Sequence, residues 1–404
     1  MPRNIPLLYK VLLPCLGFLM LFNLVSFKNY QIENKLTKDI IETTLQKALA
    51  KYKMLAQNTP DSLYPRTVKD GAVKYVNRED WTSGFPAGTL WYLYQDSNDK
   101  TIKALAEKET RTLEPLKNFK GTHDLGFMVY CPFGNAYKST GDKYYQKIYE
   151  QTAHTLALRY NKKAKCIRSW DFGQWQCPVI IDNMMNLELL FEAAKSTKDT
   201  NLYSIAINHA NTTMKNHFRK DFSSYHVVNY DTTTGLVISK QTHQGFSDSS
   251  AWARGQAWGF YGFTTTYRYT KDKKYLIQAQ KIADFIINHP NMPNDGIPYW
   301  DYNAPGHPNE PRDVSAAAIF ASGLIEFSSY IPDPDKYLAF AEKTLLTMSS
   351  TEYFNGENEN NGFLLKHATG HKPAGSEIDG TLNYADYYFI EALLRFKALY
   401  PNLK

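Results

Sequence analysis

The stretch PVIIDNMMNLELLF, residues 178–191, sets one carboxylic acid, Asp182, in a run that otherwise reads as buried core. Removing a carboxylate from water penalises its charged form, so an acid placed there tends to keep its proton. A second acid, Asp124, follows His123 in HDLGF, residues 123–127, at the head of another apolar segment. Aspartate at the start of a helix often satisfies free backbone N–H groups, and for Asp182 taken alone that role suffices. Two such acids facing one another change the balance, because a charged Asp124 would hold Asp182 protonated near neutrality, the state of a proton donor. The expected cleft is floored by Ile180, Ile181, Met184 and Met185. Paired carboxyls in an aromatic cleft suggest glycoside chemistry.

The segments SSYHVVNYD (223–231) and KQTHQGFSDSSAWARGQAW (240–258) gather His226, Thr242, Gln244, Trp252, Arg254 and Trp258 in a short span. Arg254 and Trp258 are four positions apart, on one helical face, which sets a guanidinium beside an indole. A uronic acid, with one carboxylate and one flat face, suits that pair. Each residue also has a plain structural reading: Trp252 and Trp258 as core, Arg254 paired with Asp248 or another acid, His226 capping a turn.

The elements that must position these residues form a repeat. A polar turn leads into an amphipathic helix with apolar residues at i, i+3 and i+4 in TGDKYYQKIYEQTAHTLAL from 140, TKDTNLYSIAINHANTTM from 197, TKDKKYLIQAQKIADFII from 270 and DPDKYLAFAEKTLLTM from 333. Weaker copies start at 97 and 36. Each turn follows a helix of another kind, rich in Gly, Trp, Tyr and Met, at 80, 123, 182, 250, 313 and 384. A helix apolar all round belongs in an interior, so the pattern predicts an all-α (α/α)6 barrel, six inner helices ringed by six outer ones, in one domain over residues 31–404. The inner N-termini then gather at one mouth, fed by irregular loops at 219–249, 290–312 and 351–382. A two-domain chain or an α-solenoid are the alternatives.

Composition agrees with a globular chain: 43% hydrophobic, 21% charged, and 29 Tyr, 22 Phe and 7 Trp among 404 residues. Three of the basic residues behind the net charge of +6, Arg3, Lys10 and Lys28, precede the first acid, Glu33, leaving 43 basic against 40 acidic residues and no nucleic-acid footprint. The same opening segment has a basic start and an apolar run from Val11 to Phe27, which reads as a signal peptide or an uncleaved membrane anchor over residues 1–30 and predicts export, to a bacterial periplasm, with any membrane contact confined to it. Cys15 after LLP makes a poor lipidation site. Cys131, Cys166 and Cys177 lack metal-ligand spacing and do not form a disulfide framework, although a Cys166–Cys177 bridge is open in an oxidising compartment. No cofactor or metal is expected, and the oligomeric state does not follow.

The stretches DWTSGF (80–85), HDLGF (123–127), IDNMMNLELLFEAAKSTKD (181–199), YHVVNYDTTTG (225–235), THQGFSDSSAWARGQAWGFYGF (242–263), DVSAAAI (313–319) and ADYYFIEAL (385–393) together resemble the unsaturated glucuronyl hydrolases of glycoside hydrolase family 88. The resemblance implies an α/α six-barrel, Asp182 as acid/base and Asp124 as its partner acid. It also implies substrate-cleft roles for Trp81, His123, His226, Thr242, Gln244, Trp252, Arg254 and Trp258. The implied substrate is the 4,5-unsaturated uronic acid that a lyase leaves at the non-reducing end of a glycosaminoglycan oligosaccharide of hyaluronan, chondroitin or heparin/heparan type. Some members read a sulfate with a Ser-x-x-Ser-x-Lys run; HATGHK (367–372) keeps Lys372 and neither serine, which leaves the sulfate position open. An unsaturated rhamnogalacturonyl hydrolase acting on pectin fragments shares the barrel and the chemistry, but DNMMN and WARGQAW favour the glucuronyl side. A non-catalytic glycan-binding protein using Trp81, Trp252 and Trp258 as platforms is disfavoured because both acids are present.

Overall fold

Four turns with one chemistry set the architecture. In Ser97-Asn98-Asp99, Thr140-Gly141-Asp142, Thr197-Lys198-Asp199 and Thr270-Lys271-Asp272 the middle residue is left-handed, with φ of 53°, 69°, 60° and 56°. The hydroxyl of the first residue donates to the carbonyl four positions back, at 2.6–2.8 Å. The carboxylate of the third accepts N–H groups from the residues two or three ahead. The left-handed residue thus ends one helix and the aspartate starts the next.

In the computed structural model, which describes residues 35–401, outer and inner helices alternate along the chain. Outer α1 (Lys38–Asn58) is followed by inner α2 (Gly84–Ser97), and outer α3 (Lys100–Thr112) by an inner π-helix (Gly126–Gly134) that continues as α4 (Asn135–Thr140). The remaining pairs, outer then inner, are α5 (Lys143–Ala157) and α6 (Asn183–Thr197), α7 (Thr200–Asn216) and α8 (Ala253–Thr270), α9 (Lys273–Asn288) and α10 (Val314–Ser328), and α11 (Asp335–Met348) and α12 (Asn383–Leu399). The inner helices close a ring in which α2, the π-helix, α6, α8, α10, α12 and again α2 touch in sequence. This is the expected (α/α)6 barrel.

Burial follows the two helix types. Outer α9 buries Tyr275, Ala279, Ile282, Ala283 and Ile286, one stripe at helical spacing. Inner α8 buries every residue from Ala253 to Thr266. Its approach to α6 depends on Gly262, where a Cβ would stand 2.4 Å from that of Met184. The ring is filled by aromatics in contact, with centroids 5.4 Å apart for Phe85 and Phe127, 5.1 Å for Phe127 and Trp258, and 5.4 Å for Trp258 and Tyr388.

Short strands lie outside the helical expectation. A hairpin joins β1 (Tyr64–Lys69) to β2 (Ala72–Val76), and β3 (Tyr160–Asn161) pairs with β4 (Cys166–Ile167). An antiparallel sheet is formed by β5 (Pro178–Ile180), just ahead of the inner helix expected from 182, with β6 (Val227–Tyr230) and β7 (Val237–Gln241) from the irregular loop 219–249. Its pairing of Ile180 with Val227 brings the residues just beyond, Asp182 and His226, to the same place.

Cys131, Cys166 and Cys177 are buried free thiols, and the last two are hydrogen-bonded to each other without a bridge. The segment read as a signal or anchor, 1–30, lies outside the described residues. Among those described, no helix is long and apolar enough to cross a membrane.

Candidate active site

The N-termini of the inner helices surround a cavity of about 290 Å³ whose walls include Trp81, His123, Asp124, Asp182, Gln244 and Arg254. Asp182 occupies the N-cap position of α6, yet its side chain makes no capping bond. The carboxyl is therefore not spent on the helix. It is 7% exposed, and its Oδ2 has no hydrogen-bond partner. Burial, opposed by Arg254 and assisted by Asp124, pushes its pKa up to about 7. Both expected causes act, and they are unequal: loss of solvent comes first, and the neighbouring acid expected to hold the proton is a lesser contributor.

Asp124 stands just ahead of the π-helix, a wider coil often found at functional sites. Its Oδ2 accepts the Thr122 hydroxyl at 2.7 Å, and its Oδ1 lies 3.2 Å from His123 Nε2. Asn186 on α6 accepts the Phe127 N–H at 3.1 Å, which ties the heads of the two acid-bearing helices together. Both acids line one cavity, as expected.

His226 sits behind Asp182, with Nε2 3.7 Å from Oδ2. Its Nδ1 accepts the backbone N–H groups of His243 and Gln244, each at 3.0 Å, so the ring proton resides on Nε2. Burial first, then the neighbouring His243 and His371, holds its pKa well below the usual imidazole value. Burial likewise lowers His123, His243 and His371. The site thus has uncharged imidazoles around one proton-bearing carboxyl.

Several expected positions move. Arg254 is buried and donates to Asp313 at 2.6 Å and to the carbonyl oxygens of Thr369, at 2.6 Å, and Gly370. Its guanidinium lies over Trp252, 4.4 Å from the ring centroid, and not beside Trp258. One turn of rise along their shared face separates the two side chains, and Trp258 is fully buried between Phe127 and Tyr388, away from the cavity. Trp252 forms a second layer, packing 4.7 Å from His226. Thr242 shapes the loop by accepting the Gly245 N–H at 2.8 Å, and Gln244 reaches the wall and donates to the Gly370 carbonyl at 3.3 Å. Lys372 is not among the residues that line the cavity and is paired with Glu310 at 2.7 Å over the Trp300 ring. Of the four expected floor residues only Ile180 lines the cavity; Ile181 packs against Gly255 and Gly259, Met184 against Gly262, and Met185 lines another cavity, beyond Phe127.

The cavity also contains residues the sequence reading missed. Trp170 and Phe172 stack at 4.9 Å with a 13° tilt and form one wall. Arg66, His243, His371, Glu377 and Tyr384 also line it. A signal existed for the first two, because RSWDFGQW, residues 168–175, concentrates aromatics in an otherwise polar loop. Trp81, only partly buried, rests on Tyr384 at 4.8 Å and offers a flat face opposite. Among the described residues no group of three or more His, Cys, Asp or Glu is placed to hold a metal ion. Chemically the arrangement can donate a proton from Asp182 at neutral pH to a ligand held between aromatic faces, and take one back.

Comparison with known proteins follows the same line. The family model described as Glycosyl Hydrolase Family 88 matches residues 52–396. The chain is 47% identical over 358 residues to an unsaturated glucuronyl hydrolase of Formosa agariphila, covering 88% of each. It is 33% identical over 378 residues to an unsaturated chondroitin disaccharide hydrolase of Streptococcus agalactiae, covering 91% of this chain and 94% of that one. A solved structure of an unsaturated glucuronyl hydrolase specific for heparin superposes with a TM-score of 0.89 at 50% identity, covering 90% of this chain and 98% of that chain.

Proposed function

From the premise that the chain belongs to Glycosyl Hydrolase Family 88, we propose a reaction path for the pocket and a role for each of its residues. The enzyme is a hydrolase that removes the 4,5-unsaturated uronic acid from the non-reducing end of glycosaminoglycan oligosaccharides. In that sugar the C4=C5 bond is a vinyl ether, conjugated through C5 with the ring oxygen. Protonated Asp182 delivers its proton to C4, and the positive charge that develops at C5 is shared with the ring oxygen. Asp182, now a carboxylate, takes a proton from water as the water oxygen bonds to C5. The resulting hemiketal opens and the neighbouring sugar leaves, with Asp182 restored to its acid form.

Asp124, fixed by Thr122, places its carboxyl near the developing cation and helps hold Asp182 protonated. Neutral His226 offers its Nε2–H to the carboxylate that forms, while Trp81 stacks on the sugar ring. Gln244, His123 and Arg254, which line the cavity, address the sugar's polar groups. Trp252, Thr242 and Trp258 act indirectly, by holding the loop and the helix that carry the others.

One observation carries this reading: a buried carboxyl at a helix head, free of any capping bond, opens into a cavity walled by aromatic rings. The test is loss of the ultraviolet absorbance of the C4=C5 chromophore when lyase-made disaccharides are added. Absence of any loss across glycosaminoglycan products would reject it. The opening segment, 1–30, supports export to a periplasm, tested by fractionating cells that express the full chain; recovery with soluble cytoplasmic markers is the contrary result.

A further inference from the structure

The cavity holds two guanidinium groups, and both are already paired with acids. Arg254 is locked, fully buried against Asp313 and two backbone carbonyls. Arg66 is held differently. It stands at the irregular point of β1, where pairing with β2 steps from Pro65 to Thr67. A residue left out of a ladder can have its side chain re-aimed, and this one reaches the cavity wall.

Arg66 bridges two unlike acids. One terminal nitrogen donates to Asp80 Oδ2 at 2.7 Å, while Nε and the other terminal nitrogen donate to Glu377 Oε1 and Oε2 at 2.5 and 3.0 Å. Asp80 is anchored, because its Oδ1 also accepts the N–H and O–H of Thr82 at 2.9 and 2.6 Å. The Glu377 carboxylate bonds only Arg66 among the described residues. Its backbone is left-handed at φ 55°, a conformation that costs a non-glycine residue about 1 kcal/mol or more. It fits because position 370 is glycine: a Cβ there would fall 2.3 Å from Glu377 Oε2.

We propose that Arg66 is an anion receptor of this pocket and that Glu377 is its exchangeable occupant. An oxyanion of the substrate, carboxylate or sulfate ester, takes the two-pronged place of Glu377 on the guanidinium, while Asp80 keeps its own contact. A carboxylate and a sulfate both present two oxygens at the spacing the guanidinium fork requires. A neutral substituent has nothing to displace Glu377, which then stays as an acid near Asp124 and Asp182 and disfavours that ligand. The inference rests on the hydrolase reading above and adds to it a means of selecting anionic sugars.

The experiment measures KM, kcat and the unfolding midpoint for wild type, Glu377→Gln and Arg66→Gln, on unsaturated disaccharides that share the uronate and differ in sulfation. Exchange predicts opposite signs. Glu377→Gln lowers KM about tenfold because the competing carboxylate is gone, and Arg66→Gln raises KM about tenfold or more, with the larger effect on KM than on kcat. A gain from Glu377→Gln on every disaccharide identifies the uronate carboxylate as the incoming anion; a gain confined to sulfated ones identifies the sulfate. An ion pair that only supports the fold would move both variants the same way, with unchanged or higher KM and a lower midpoint, and that result overturns the proposal. Glu377→Gln keeps the side-chain shape and decides the matter alone should Arg66→Gln not fold. Failure of wild type to consume any unsaturated disaccharide would instead strike the hydrolase reading, while calorimetric titration of wild type and Glu377→Gln with the same compounds still reads the exchange.

Discussion

Oδ2 of Asp182 and Nε2 of His226 lie 3.7 Å apart, and neither atom has a hydrogen-bond partner. The imidazole carries its proton on Nε2, near a carboxyl that is 7% exposed and has no hydrogen-bond partner at Oδ2. A pair at this distance is too long for a hydrogen bond in the resting state and close enough to form one when the carboxyl becomes a carboxylate. Replacement of Asp182 by Asn removes the transferable proton and keeps the volume. Asp182→Asn is expected to lower kcat by at least about 10²–10⁴-fold, the usual contribution of general acid/base assistance. Unchanged far-ultraviolet circular dichroism would show the barrel intact, and turnover near the wild-type rate would remove Asp182 from the mechanism.

The pH dependence has a definite sign. Asp182 donates only while protonated, and its pKa is pushed up to about 7, so kcat/KM should fall as pH rises through that value. Burial is the leading cause and Asp124 a smaller one. Asp124→Asn should therefore move the alkaline limb to lower pH, but by less than the whole elevation. A pH series of initial rates on both proteins checks this; a limb returned to the ordinary aspartate range in the variant would make the neighbouring charge, and not desolvation, the main cause.

The same elevation works against stability. An aspartate raised from 3.8 to about 7 in the folded state keeps its proton where the unfolded chain has lost it, so stability falls as pH rises from about 4 to 7. Near pH 8 the burden is roughly 3–5 kcal/mol. Asp386, buried and also pushed up to about 7, adds a contribution of the same sign. Asp182→Asn should thus be more stable than wild type at pH 8, with the gap closing toward pH 4. Denaturant unfolding at both pH values measures it, and a variant less stable at pH 8 would contradict the assigned burial penalty.

Lys372 illustrates a resemblance that does not survive packing. The retained lysine of HATGHK is turned to Glu310 and lies over Trp300, while Gly370 and His371 beside it do line the cavity. Because a partly exposed ion pair contributes little, Lys372→Ala is expected to leave kcat/KM within about twofold on sulfated and unsulfated disaccharides alike. Steady-state kinetics decide it; a loss confined to sulfated substrates would restore Lys372 to the site.

Helices were legible because their signals are local. The hydroxyl, left-handed residue and aspartate of the 140, 197 and 270 turns lie within three positions, and the apolar stripe of α9 repeats within sixteen. Asp182 and Asp124 were legible as acids misplaced in apolar runs. Strand β5 was not, since three residues ahead of a helix carry no period that separates strand from helix. Nor were the partners of Arg254 and Arg66 legible, because Asp313 and Glu377 are 59 and 311 positions away and meet them only once the ring closes. Trp258 was misplaced for a subtler reason: four residues on an inner helix share a face, but one turn of rise separates the cavity wall from the aromatic fill beneath it.

The buried pair of Arg254 and Asp313 sets the charge that Asp182 feels. Arg254 favours the ionised form of Asp182, and Asp313, 2.6 Å from the guanidinium and fully buried, offsets part of that charge. Asp313 also accepts the Ser315 N–H and O–H at 3.1 and 2.5 Å, starting α10. Asp313→Asn preserves the shape but removes the directly bonded counter-charge of a buried guanidinium, which typically destabilises by about 3–5 kcal/mol. The unmasked positive charge should in turn make Asp182 a stronger acid and move the alkaline limb of kcat/KM to lower pH. Stability and pH limb are separate readouts: a drop in stability with an unmoved limb would mean that Asp313 serves the barrel alone, whereas both changes together tie the inner ion pair to the proton inventory of the site.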